Sequence, residues 1–243
     1  IILVDISASR GERGPNNEMV RRVSMNCHVP LTVAGGIKSV RQIGELLASG
    51  ADKVCINHAA RSKPSFITDA ASQYGNQCVV ASIDVAMGKN NEPWVYDYLK
   101  SSLTDEKPTD QARWMQEAGA GEILLNSVER DGSYLGYDNE LIASVLDATT
   151  IPIIAVGGAG IPAHFVESFS VTGISALAAA NIFHFWEHSI TVIKSQIDLD
   201  VPIRRETGFN YFEARTDPEG RLLKKHDNDL EQMLYVKINQ EVI

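Results

Sequence analysis

A block of residues in this chain returns after 122 positions, and that repeat restricts the fold more than any other feature. Aligned on Pro30 and Pro152, the stretches ILVDIS to VPLTVAGGI and ILLNSV to IPIIAVGGAG run without a gap. Gly14 then falls on Gly136, Asn17 on Asn139, Glu18 on Glu140, Gly35 on Gly157 and Gly36 on Gly158. With the prolines these make six identities in register at loop and turn residues. Periods of roughly 20–50 residues mark solenoids. A period near 120, each unit reading strand, helix, strand, glycine-rich loop, instead predicts two halves of one (β/α)8 TIM-type barrel.

The length of 243 residues suits such a barrel, which runs to roughly 250 residues as a single domain, and a hydrophobic content of 44% supplies its core. No apolar run reaches the length of about 18 residues that a membrane span requires, so no membrane partner is expected. A net charge of −9 argues against nucleic acid as a partner. It does not argue against small phosphates, which are held by local backbone donors. Cys27, Cys55 and Cys78 show no C-x-x-C spacing and sit in or beside apolar strands, which predicts free thiols in a reducing cytosol. No second His or Cys stands at ligand spacing from His58, so neither a metal nor another cofactor is expected.

Short apolar runs rich in β-branched residues predict strands at 1–7, 30–36, 53–57, 78–85, 122–128, 152–158 and 175–181. Amphipathic segments at helical spacing lie between them: Glu18–Met25, Val40–Ala48, Pro64–Gln73, Thr109–Ala118, Asn139–Leu146 and His164–Ser170. The alternation predicts a parallel α/β sheet. Shifted by 122 residues, CVVASIDV has its counterpart ahead of Ile1, so the first strand–helix sector is expected to be absent from the front of the chain. The barrel domain is placed at 1–203 and a C-terminal extension at 204–243. Three readings of the extension stay open: a permuted first sector, an unrelated appendage, or the start of a further domain. The DPEG turn at Asp217–Gly220 favours a hairpin-like appended module.

In barrels of this type the active site gathers at the C-terminal ends of the strands. Those ends carry Asp5, Gly35 and Gly36, Asn57 and His58, Asp84, Ser127 with Asp131 and Gly132, Gly157 and Gly158, and Asn181. Two Gly-Gly loops half a barrel apart predict a pair of backbone cradles for a substrate phosphorylated at both ends. Asp84 ends an apolar run, and desolvation there would tune it as a general acid or base, with a helix cap or a loop salt bridge as the alternative. Asp5 has the same placement but could organise the next loop through hydrogen bonds, and Asp131 lies in the turn sequence ERDG. At the opposite mouth Lys53 and Glu122 precede their strands, where they either solvate the barrel floor or form part of a gate.

The pieces LVDISAS, PLTVAGGI, GADKVCIN, GNQCVVASIDV, GAGEILLNSVERDG, GYDNEL, IPIIAVGGAG and AANIFHF resemble, in order, the cyclase subunit of imidazole glycerol phosphate synthase from histidine biosynthesis. The resemblance covers roughly positions 1 to 205. It implies a cytoplasmic lyase barrel that receives ammonia from a glutaminase partner. Ammonia reacts with a bis-phosphorylated ribulosyl formimino-aminoimidazole carboxamide nucleotide, giving imidazole glycerol phosphate and aminoimidazole carboxamide ribotide. By the same resemblance Asp84 is the general acid, Asp131 supports the site, and Asp5 matches the aspartate ending strand two. Gly36 and Asn57 match one phosphate site; Gly132, Gly158 and Ala180 match the other. Lys53 and Glu122 match half of a charged ring at the ammonia entrance.

The chain also departs from that family. The second catalytic aspartate belongs to strand one, in the sector expected to be missing. The glycine and hydroxyl pattern of the phosphate loops becomes Ala34-Gly35-Gly36, Asn57-His58, Val156-Gly157-Gly158 and Ala180-Asn181, with three hydroxyl donors lost. His58 and Asn181 can still donate. The leading expectation is the ammonia-dependent cyclase. The alternatives are a paralogue that passes ammonia to an amidotransferase of surface-polysaccharide sugar biosynthesis, or a silent scaffold that holds a glutaminase.

Overall fold

The computed structural model describes residues 1–10, 13–197, 214–218, 221–224, 226 and 228. Among the described residues nine strands run in chain order as β1 Ile2–Val4, β2 Thr32–Ala34, β3 Lys53–Ile56, β4 Val79–Met87, β5 Pro93–Asp97, β6 Ser102–Leu103, β7 Glu122–Ser127, β8 Ile153–Val156 and β9 Ala176–Ala178. The helices are α1 Ile6–Arg10, α2 Asn17–Ser24, α3 Val40–Ala48, α4 His58–Ser62, α5 Phe66–Tyr74, α6 Pro108–Glu117, α7 Asn139–Leu146, α8 Pro162–Thr172, α9 Asn181–Phe185 and α10 Ser189–Gln196. Seven strands are parallel, in the order β1-β2-β3-β4-β7-β8-β9, and strands alternate with helices as a TIM-type α/β barrel requires. Among the described residues β1 and β9 are the two edges of this sheet.

Strand alternation divides the apolar core in two. Val54, Ile56, Val79, Ala81, Ile83, Ile123, Leu125 and Ile153 point outward and pack with helix residues such as Ile43, Leu46, Ile67, Met115 and Ile142. Ala34, Cys55, Val80 and Leu124 point the other way and form a small inner cluster with Ile2, Ile154 and Val156. Such double burial explains why these strands read as continuous apolar runs. It also fixes by parity which polar residues face the interior: Lys53 and Asn57 share the face of Cys55, Asp84 that of Val80, and Glu122 and Asn126 that of Leu124.

The repeat reappears as equivalent local chemistry. Asn16 caps α2 by accepting from the Met19 N–H (3.0 Å), and Asp138, 122 residues later, caps α7 by accepting from the Leu141 N–H (3.1 Å). Gly35 and Gly157 take φ of 109° and 105°. A Cβ on Gly157 would come within 2.6 Å of the Ser127 carbonyl oxygen, and one on Gly35 would strike the equivalent Asp5 carbonyl oxygen. Both elbows therefore need glycine for backbone packing as well as for any cradle.

Several predicted boundaries are corrected. The first strand ends at Val4, because the Asp5 carboxylate accepts the Ala8 N–H (3.2 Å) and starts α1. The run at 175–181 is a strand only over Ala176–Ala178, after which α9 begins at Asn181. The segment between 88 and 107, given no element above, contains β5 and β6, which extend antiparallel from the end of β4. In the extension Thr216 and Leu222 form an antiparallel bridge. The strand-like LYVKINQEVI lies outside the described residues.

Candidate functional site

Asp84 projects from β4 into the barrel interior between β3 and β7. Asn57 Nδ2, one residue beyond β3, donates to Asp84 Oδ2 at 2.8 Å. Asn126 Nδ2, the register partner of Asp84 on β7, donates to Oδ1 at 2.9 Å. Burial raises the Asp84 pKa above the ordinary carboxylate range, while the Asn126 and Asn57 hydrogen bonds pull it partly back. A carboxyl held this way is a better proton donor than an ordinary, fully ionised aspartate. Beside it, Cys55 is pushed up to about 12 by burial first and the Asp84 charge second, a hydrogen bond to Ser82 opposing both. The thiol is therefore neutral.

At the second glycine elbow a small open cleft is lined by Asp131, Gly132, Val156, Gly157, Gly158, Ala159, Ala179, Ala180 and Asn181. Six residues singled out in the sequence thus meet in one place. A Cβ on Gly132 would lie 3.9 Å from the Asn181 amide nitrogen, so that side chain reaches across the cleft. Gly36, Asn57 and His58 sit one repeat earlier in the chain, at the ends of the adjacent strands β2 and β3, with Gly35. His58 Nε2 lies 2.9 Å from Ser62 Oγ, and its Nδ1 lies 3.7 Å from the buried Asp97 carboxylate.

Asp5 is engaged by its own loop. Its carboxylate accepts from Ser7 Oγ (3.0 Å), the Ala8 N–H and the Arg13 guanidinium (2.9 Å). Asp131 is exposed at the cleft rim, its N–H donating to the Ser127 carbonyl (3.1 Å). At the opposite end of the strands, Lys53 Nζ and Glu122 Oε1 form a half-buried ion pair. From Glu122 to Asn126 is four residues of strand, about 13 Å at ~3.3 Å per residue, so the interior joins this pair to Asp84.

Two participants escaped the sequence reading. Asn126 lies mid-run in EILLNSV, and only pairing it with Asp84 across the β4–β7 register exposes its role. Asp97 belongs to the unforeseen hairpin. It accepts from the Leu99 and Lys100 N–H groups (3.0 and 3.1 Å) and faces Arg61 at 3.6 Å.

The model of the histidine biosynthesis protein family matches residues 1–189. A Vibrio vulnificus (strain YJ016) protein provisionally named imidazole glycerol phosphate synthase subunit hisF2 is 46% identical over 197 residues, covering 81% of this chain and 72% of the relative. The imidazole glycerol phosphate synthase subunit HisF of Alkaliphilus metalliredigens (strain QYMF) is 41% identical over 206 residues, 84% of this chain and 82% of its own. That of Corynebacterium urealyticum (strain ATCC 43042 / DSM 7109) is 39% identical over 208 residues, 84% and 81%. By the extent of these matches, the chain belongs to the histidine biosynthesis protein family.

Proposed function

We propose that this chain is the ammonia-dependent cyclase of an imidazole glycerol phosphate synthase. It converts the bis-phosphorylated ribulosyl formimino-aminoimidazole carboxamide nucleotide to imidazole glycerol phosphate and aminoimidazole carboxamide ribotide. The single observation that carries the reading is the placement of a partly buried, doubly hydrogen-bonded Asp84 on the interior face of a strand lying between two glycine elbows. One phosphate binds at Gly35, Gly36, Asn57 and His58. The other binds in the cleft of Gly132, Gly157, Gly158, Ala180 and Asn181. Asp84 then faces the middle of the elongated substrate, where cyclisation requires proton transfer, and acts as the general acid. Asp131, at the cleft rim, supports the substrate beside it, and Asp5 holds its loop through Arg13.

Ammonia comes from a glutaminase partner in the cytoplasm, enters at the Lys53–Glu122 pair and rises through the interior. The relatives are named as subunits of a synthase, which supports an assembly with at least one other chain. The test is turnover of the bis-phosphorylated nucleotide with ammonium salt. Product should form with the parent protein, and Asp84→Asn should lower kcat by about a hundredfold or more, the range expected for losing a general acid. Undiminished turnover in that variant removes Asp84 from the mechanism.

A further inference from the structure

Both oxygens of the Asp84 carboxylate are occupied, each by a neutral amide, and the amides come from opposite sides. Asn57 reaches Oδ2 from just beyond the end of β3, and Asn126 reaches Oδ1 from β7, at 2.8 and 2.9 Å. An amide N–H can donate to a carboxylate but cannot neutralise it, so the pair fixes the carboxylate plane without taking its proton. Each strand is itself pinned to β4. The β7 register runs Val80↔Glu122 through Val85↔Ser127, and the β3 register runs Val54↔Val79 through Ile56↔Ala81. The clamp is therefore as rigid as the sheet, the condition under which a catalytic group keeps a productive orientation.

We propose that Asn126 is a positioning residue for Asp84, the second jaw of an amide clamp whose first jaw is Asn57. The proposal rests on the reading of Asp84 as the acid of the cyclase and adds a group that the sequence did not single out. The two jaws are not equivalent. Asn57 adjoins His58 at the first phosphate loop and can serve substrate and Asp84 together. Asn126 sits within β7 and has no loop of its own. Its loss is therefore felt through Asp84.

The surroundings leave few other charges to respond. Among the described residues, Cys55 on β3 is the titratable side chain beside Asp84, and its thiol is neutral. Lys53 and Glu122 share the same face but are paired with each other at the far end of the strands. Both amide donors favour the ionised carboxylate, so removing one shifts Asp84 toward protonation at a given pH.

The experiment follows the Asp84 carboxyl carbon by NMR in protein labelled at aspartate, with the resonance assigned from its disappearance in Asp84→Asn. Asn126→Leu keeps the volume and deletes the donor. Its Asp84 titration should move to higher pH. With ammonia as nitrogen source, the high-pH limb of kcat should move the same way, plateau kcat should fall about tenfold, and KM should stay within about twofold. Asn57→Leu should move the titration in the same direction but raise KM as well. If Asn126→Leu does not fold, Asn126→Ser, too short to reach Oδ1, gives the same reading. An Asp84 titration that superimposes on the parent's overturns the clamp, whatever the activity. A shifted titration in a protein with no cyclase turnover keeps the clamp and overturns the proposed reaction.

Discussion

At the scale of single residues the interior is built from groups whose protonation is decided by what surrounds them. Asp84 and Cys55 are neighbours in one low-dielectric space, and burial pushes both upward. For the carboxyl this creates a usable acid; for the thiol it removes reactivity. With its pKa near 12, only about one Cys55 in ten thousand is thiolate at pH 8. Iodoacetamide at that pH should leave Cys55 unmodified in the folded protein and alkylate it fully in guanidinium, as peptide mass spectrometry will report. Rapid alkylation of the native protein would mean that the interior admits solvent and that Asp84 is less desolvated than its position indicates. The residue types here were legible from sequence only in part. Asp84 stood out because a carboxylate ending an apolar run is costly unless used. Asn126 did not, because an amide in a strand carries no such cost until its partner is known.

At the scale of elements, the hairpin of β5 and β6 is tied to α4, and α4 begins at the loop of Asn57 and His58 proposed to hold one phosphate. Asp97, 3% exposed at the end of β5, makes the tie. Burial acts to raise its pKa, but the Lys100 N–H, His58, Arg61 and the Leu99 N–H together outweigh it, and the carboxyl lies below its ordinary range. A depressed carboxylate pKa contributes stability above the unfolded-state value of 3.8 and loses it as pH falls through the folded-state value. Asp97→Asn, which also leaves Arg61 without its buried counter-charge, should cost about 2 kcal/mol at pH 7. In urea the variant and parent midpoints should differ from pH 7 down to about pH 4 and converge below it. A gap that is unchanged at pH 3 would assign the effect to packing instead of charge. The sequence hid this tie because the hairpin is an insertion into the strand–helix alternation. Its strands are short, β5 opens with a proline, and the asparagines and glycine of MGKNNEP read as loop.

At the scale of the whole molecule, the alternation and the glycine elbows were readable because each repeats a demand of the backbone. Parallel strands buried on both faces must be apolar throughout, and an elbow facing a carbonyl oxygen must be glycine. Strand ends were less readable, since caps such as Asp5 decide them through contacts one or two residues away. The same architecture separates two groups of interior polar residues along the strands. Asp84 and the cradles lie at one end, and the Lys53–Glu122 pair lies about 13 Å down the strand at the other. If that pair gates ammonia delivered by a partner, its removal should separate two assays that a general loss of fold would reduce alike. Free ammonium can reach Asp84 from the substrate side, whereas ammonia released by glutamine hydrolysis has to pass the pair. Glu122→Gln keeps the shape and deletes one charge. It should lower glutamine-driven turnover in the assembled complex by about tenfold, while ammonia-driven turnover of the same preparation stays within about twofold. The melting temperature serves as the control, because Lys53 loses its half-buried partner in the variant. Equal losses in the two assays would return Lys53 and Glu122 to the role of a solvated barrel floor.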